Sequence, residues 1–186
     1  LPMTADRIDF LGLPMMAVNN SSRHETAFTV SIEAREGVST GISAADRALT
    51  IATAINEQNT MAHIATPGPV FPLRAKRGGV LVRAGHTEAS VDISRLAGCH
   101  PSAVICEIMK EDGTMARLPD LVEFYKEHDM KIGPISDLIK YRPKNDNLVV
   151  ATSRETVQPE LGGDWETRIF TAPVTSTHLP PPTTRY

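Results

Sequence analysis

The chain has 186 residues, 41% of them hydrophobic and 22% charged, and a formal net charge of −3. That make-up fits one ordinary domain, with at most an appended tail, and excludes a wholly disordered chain. Apolar runs such as Leu148–Ala151 fall far short of the roughly 20 residues a membrane-spanning helix needs, and the missing basic excess argues against a nucleic-acid partner.

Two cysteines, Cys99 and Cys106, are too few for a disulfide scaffold or a four-cysteine zinc site, and a reduced, cytosolic setting follows as the default. The chain opens Leu1-Pro2-Met3-Thr4, with no initiator methionine and no signal core, which reads as a processed chain or a piece of a longer one.

Residues 4–11 predict a short helix capped by Thr4 and stopped by Gly12 and Pro14. Phe28–Ala34 alternates, with Phe28, Val30, Ile32 and Ala34 on one face of a half-buried strand. Ser43 and Asp46 form a start resembling a capping box for a helix to about Ile55, its apolar side carried by Ala44, Ala48, Ile51 and Ile55. Asn56–Pro72, with three prolines, reads as an irregular connection. Gly78-Gly79 leads into a short strand, Val80–Val82, and Arg83–Thr87 opens a helix from Glu88 to Ala97 that Gly98 ends.

Ala103–Ile108 reads as a buried strand with Cys106 in the core, and Asp112-Gly113 as a turn. Pro119 starts an amphipathic helix bearing Leu121, Val122, Phe124 and Tyr125. Lys131–Ile132 is a minimal strand, and Ser136 caps a helix ending near Tyr141. Pro143–Asn147 looks like a linker, Trp165–Ala172 like one more strand, and His178–Tyr186 like a disordered proline-rich tail. Strands and helices in this order indicate a layered α/β or α+β domain.

Two places carry chemistry. Arg83-Ala84-Gly85-His86-Thr87 joins small residues to a helix start, where unpaired amides, Arg83 and Thr87 together make a phosphate cradle. The plain alternative is a loop whose glycine relieves a turn. His86 reads as a metal ligand, a proton shuttle or neither. Glu107 stands inside an apolar run, as a buried carboxylate suited to general acid–base work or as an outward-facing edge carboxylate.

Read in order, Thr40–Arg47, Val70–Ala75, Gly78–Leu81, Arg83–Ala89, Ile105–Ile108 and Asp112–Arg117 closely resemble the 3,4-dihydroxy-2-butanone 4-phosphate synthase family over residues 1–142. The resemblance implies an α+β fold with a mixed sheet, a homodimer with active sites at the subunit interface, and conversion of D-ribulose 5-phosphate to dihydroxybutanone phosphate and formate in riboflavin biosynthesis. It implies magnesium (or manganese) as cofactor and a cytoplasmic or, in a plant, plastid location. It assigns Arg83, Ala84, Gly85, His86, Thr87 and Glu107 to the substrate, His86 to the metal, and acid–base catalysis to Glu107.

Within residues 143–186, Asn147–Phe170 is similar to the linker and first strand of a fused GTP cyclohydrolase II, whose zinc cysteines are absent from these residues. Two departures stand out. The family's N-terminal acidic motif, of Arg-Glu-x-Glu-Gly-Asp type, is not among these residues, so the chain reads as the C-terminal part of the domain. Pro69 stands where the family has an essential histidine. Proline carries no titratable proton and no lone pair for a metal, so a non-catalytic homologue that binds sugar phosphate, or serves in dimerisation, is the alternative.

Overall fold

A computed structural model describes residues 1–146, 150–158 and 162–171. Its elements in order are β1 (Pro2–Met3), α1 (Ala5–Phe10), β2 (Ile32–Ala34), α2 (Ala44–Ile55), β3 (Ile64–Val70), β4 (Leu73–Arg74), α3 (His86–Leu96), α4 (Leu118–Glu127), α5 (Ile135–Asn145), β5 (Val150–Val157) and β6 (Trp165–Thr171). β1 pairs parallel with β4, β2 antiparallel with β3, and β5 antiparallel with β6. This is the expected α+β class, with helices over several small sheets.

The core forms where α1 and α2 meet these first strands. The Thr4 hydroxyl accepts the Arg7 amide at 3.1 Å and so starts α1, which delivers Ile8 to a cluster with Met3, Leu11, Ile32, Ala54 and Ile64. Arg7 is buried beside it. Its guanidinium donates to the carbonyls of Ala54, Asn56 and Asn59 at 2.7–3.0 Å, supplying N–H donors to carbonyls at and just beyond the end of α2.

Several elements differ from expectation, each for a local reason. The alternation of Phe28–Ala34 holds for Ile32 and Ala34 but slips earlier, where Thr29 is fully buried and Phe28 exposed. Only Ile32–Ala34 is a regular strand, because Thr29 and Val30 donate elsewhere, to Pro72 and Pro14. Asn56–Pro72 contains β3 and leads into β4 rather than being irregular throughout. The pairing jumps from Ile32↔Val70 to Glu33↔Ala65, so the prolines at 67 and 69 sit out of register, where no ladder N–H is required. Gly68 is needed there, since a Cβ would lie 2.2 Å from the Ile32 carbonyl oxygen.

In α2 the Ser43 hydroxyl caps the Asp46 amide, but the buried face is Asp46, Thr50 and Ala54, while Ala44 and Ala48 are exposed. Thr50 is drawn inward because its hydroxyl accepts the Ala34 amide of β2 at 3.0 Å. Val80–Val82 is not a strand. Gly78 and Gly79, at φ 94° and 65°, turn the chain into a short 3-10 helix, Gly79–Leu81.

Ala103–Ile108 is likewise no strand, and Cys106 and Glu107 are exposed rather than buried. Met3 bridges Ser102 antiparallel and the Ala103 amide reaches the Pro2 carbonyl, a register that carries the following residues past Leu1. No strand among the described residues lies alongside them. The Asp112-Gly113 turn is present, closed by a Met109↔Met115 bridge, and α4 begins around Pro119 as expected. Lys131–Ile132 forms no strand.

α5 is capped at Pro134 rather than Ser136 and continues through Pro143 to Asn145, into the expected linker. Proline is tolerated in this last turn, where Arg142 is tied back to α3. β6 appears where one strand was predicted, and β5 pairs with it from a stretch read as linker. Asn147 and the 178–186 tail lie outside the described residues. No helix among the described residues is long and apolar enough to cross a membrane.

Candidate active site

α3 starts directly after the Arg83–Gly85 turn, with Gly85 as its extended N-cap and no side chain capping its first amides. The N–H groups of that first turn have no partner within the helix and carry partial positive charge. Arg83 lies across this end. Its Nη1 donates to the Glu88 carboxylate at 2.7 Å and its Nη2 to the His24 carbonyl at 3.1 Å. A Cβ on Gly85 would meet Arg83 Nη1 at 2.3 Å, so only glycine lets the guanidinium come this close. Ala84 and His86 are exposed, and Thr87 is buried.

His86 borders a groove of about 600 Å³ walled by Ala89 and Ile93 of α3, Ile105, and Ile135, Leu138 and Tyr141 of α5. The wall is apolar apart from His86, Ser90, Asp137 and the Tyr141 phenol. The run containing Glu107 gives this wall Ile105, whereas the Glu107 side chain is exposed and is not among the lining residues. Five of the predicted site residues, Arg83 to Thr87, are thus held together by one turn, and Glu107 is not brought into the groove that His86 borders. Among the described residues no three His, Cys, Asp or Glu side chains come together as a cation cluster.

Pro69 lines a second, smaller groove of about 370 Å³ with Leu1, Arg47, Ile51 and Val104. It lies against the Thr40–Arg47 motif, where a Cβ on Gly41 would stand 3.4 Å from its ring. A histidine at this position would therefore face the same motif.

Sequence reasoning missed two residues that organise the site. Glu88 and Asp92 are 1% and 2% exposed. The Lys76 amide donates to Glu88 at 3.0 Å, and the Val80 amide to Asp92 at 2.8 Å, pinning the loop ahead of Arg83 to α3. The available signal was their i, i+4 spacing next to Ala89 and Val91, which puts both carboxylates on a face that packs.

A family model described as 3,4-dihydroxy-2-butanone 4-phosphate synthase matches residues 1–141. A Neisseria meningitidis protein of that name is 54% identical over 162 residues, which is 87% of this chain and 45% of the relative. A Synechocystis protein named riboflavin biosynthesis protein RibBA is 56% identical over 159 residues, 84% of this chain and 28% of its own length. The chain therefore spans less than half the length of these relatives. Among solved structures, RibBX, a two domain 3,4-dihydroxy-2-butanone 4-phosphate synthase from A. baumannii, matches with a TM-score of 0.78 and 45% identity, over 92% of this chain and 50% of that one. A 3,4-dihydroxy-2-butanone 4-phosphate synthase in complex with two magnesium ions matches with a TM-score of 0.70 and 36% identity, over 77% of this chain and 72% of that one.

Proposed function

The chain belongs to the 3,4-dihydroxy-2-butanone 4-phosphate synthase family, and from that premise we propose that its site takes D-ribulose 5-phosphate, the substrate from which the family makes dihydroxybutanone phosphate and formate for riboflavin biosynthesis. The observation that carries this reading is the Arg83 guanidinium fixed beside the uncapped start of α3. A phosphate dianion placed there meets a fork of N–H donors and the positive end of a helix. Ala84 and Gly85 leave it room, and Thr87 belongs to the same turn. His86 stands at the adjoining groove, where the sugar would extend.

Glu107 is the proposed acid–base residue, working at a homodimer interface. Magnesium or manganese is the proposed cofactor, and a cytoplasmic or plastid location goes with the pathway. When bound, such an ion polarises carbonyl and hydroxyl oxygens. The described residues do not fit it by themselves, because magnesium takes about six oxygen ligands and His86 stands without a carboxylate cluster.

Pro69 favours a second reading, a homologue that binds the sugar phosphate without turning it over. The two readings separate in two measurements. Calorimetry with ribulose 5-phosphate should show Arg83→Ala weakening binding by about 1.5–3 kcal/mol, and equal affinity would overturn the cradle. Formate release should be undetectable from these residues as they stand. Pro69→His combined with a family N-terminal acidic segment should restore it if the site is catalytic, since lost acid–base help is worth about 10²–10⁴-fold. No formate from that double repair leaves the binding homologue.

A further inference from the structure

We propose that Glu88 is the positioning residue of the phosphate site, holding Arg83 over Gly85 so that the cradle exists before any ligand arrives. The proposal rests on the sugar-phosphate reading above. Glu88 occupies the third position of α3 and is 1% exposed. A glutamate there commonly turns back to the N-cap amide, but the Gly85 amide is taken by the Arg83 carbonyl at 2.8 Å. Each Glu88 oxygen has its own partner instead, Oε1 the Lys76 amide at 3.0 Å and Oε2 the Arg83 Nη1 at 2.7 Å.

One buried carboxylate thus fixes both the loop that leads to Arg83 and the head of its side chain. Arg83 itself is 28% exposed. Of its five N–H donors, one meets Glu88 and one the His24 carbonyl, which leaves the rest of the fork for an incoming anion. An arginine left free would have to give up its rotamer freedom on binding, and Glu88 removes that cost in advance.

Glu88→Gln is the discriminating change, because it keeps the shape and the acceptor for Lys76 but turns an amide donor toward Arg83. Inorganic phosphate is titrated calorimetrically into the wild type, Glu88→Gln, Arg83→Ala and the double variant. Arg83→Ala should weaken phosphate binding about tenfold to a hundredfold, and Glu88→Gln about threefold to tenfold. In the Arg83→Ala background, Glu88→Gln should change nothing further.

Equal binding by wild type and Arg83→Ala overturns the cradle, and this proposal with it. Loss in Arg83→Ala with wild-type binding by Glu88→Gln overturns the proposal alone. So does an equal loss from Glu88→Gln in both backgrounds, the mark of a merely structural residue. The wild type provides a measurement that needs no variant. Nitrogen NMR of its Arg83 guanidinium, without phosphate, should show slowed rotation about Nε–Cζ, and free averaging would overturn the proposal.

Discussion

Glu88 and Asp92 stand one helical turn apart in α3, and both are buried. Each accepts an amide from the same preceding loop and each grips an arginine. They differ in what the arginine has left to offer. Arg142 is 8% exposed and gives Nη1 to Asp92 and to the Gly78 carbonyl, and Nε to Asp146, all at 2.7–2.8 Å. Arg83 is 28% exposed, with part of its fork in solvent. The same device therefore locks α5 to α3 in one place and leaves a cation facing solvent in the other. Satisfaction of the arginine decides which.

The largest expected effect breaks the locked pair. Asp92→Ala takes from the buried Arg142 one of its two carboxylate partners, Asp146 remaining, and leaves the Val80 amide without its acceptor. Removing one partner of a buried pair costs about 3–5 kcal/mol when the charge is left uncompensated, and the retained Asp146 puts the expected loss at the low end, about 3 kcal/mol. Urea unfolding should show a loss of that size for Asp92→Ala, and a clearly smaller one for Glu88→Gln, whose arginine can turn toward water. Equal losses would dissolve the contrast between the two clamps.

The two glycines sharpen it. A Cβ on Gly79 would lie 2.2 Å from both Asp92 oxygens, and its φ of 65° is strained for any side chain. Gly79→Ala should therefore cost stability, about 1–3 kcal/mol. At Gly85 the φ of −118° suits any residue, and the added Cβ meets side-chain ends rather than backbone, Arg83 Nη1 at 2.3 Å and Glu88 Oε2 at 3.0 Å. Gly85→Ala should keep the melting temperature within a few degrees while lowering phosphate affinity. A melting temperature that falls as far as for Gly79→Ala would show that Arg83, too, is structural.

Local chemistry made much of this legible in advance. Thr4, Ser43 and Pro119 announce helix starts, and Gly12 and Gly98 announce ends, because caps and left-handed turns depend on neighbours only. The Arg83–Thr87 turn was legible for the same reason. The clamps were not, since Arg142 meets Asp92 from 50 positions away. Ala103–Ile108 misled because its apolar, β-branched residues say what could be buried, while burial is decided by what lies beside them. Val80–Val82 misled similarly, its amide being claimed by Asp92.

The smallest expected effect concerns Asp46, a third carboxylate that grips a loop, this time through a hydroxyl and amides. It accepts the Ser39 hydroxyl at 2.7 Å, the Ser39 amide at 3.2 Å and the Gly41 amide at 3.0 Å. These bonds, the Ser39 hydroxyl first and the Ser39 amide next, hold its pKa below the ordinary aspartate value. A carboxyl depressed in the folded state contributes stability above its unfolded pKa and loses it as pH falls through the folded one. Acid should therefore loosen the Ser39–Gly41 loop, which rests against Glu33 and Pro69. Asp46→Asn keeps a backbone amide for the Ser43 cap but removes the charge from all three bonds. Its urea midpoint should fall below that of the wild type near neutral pH, and the gap should narrow in acid, as pH falls below the ordinary aspartate value of about 3.9 toward the lower folded one. Because Asp46 has no buried arginine to strand, the gap should stay well below that of Asp92→Ala. A gap that is unchanged between the two pH values would mean that the loop is held by shape rather than by this charge.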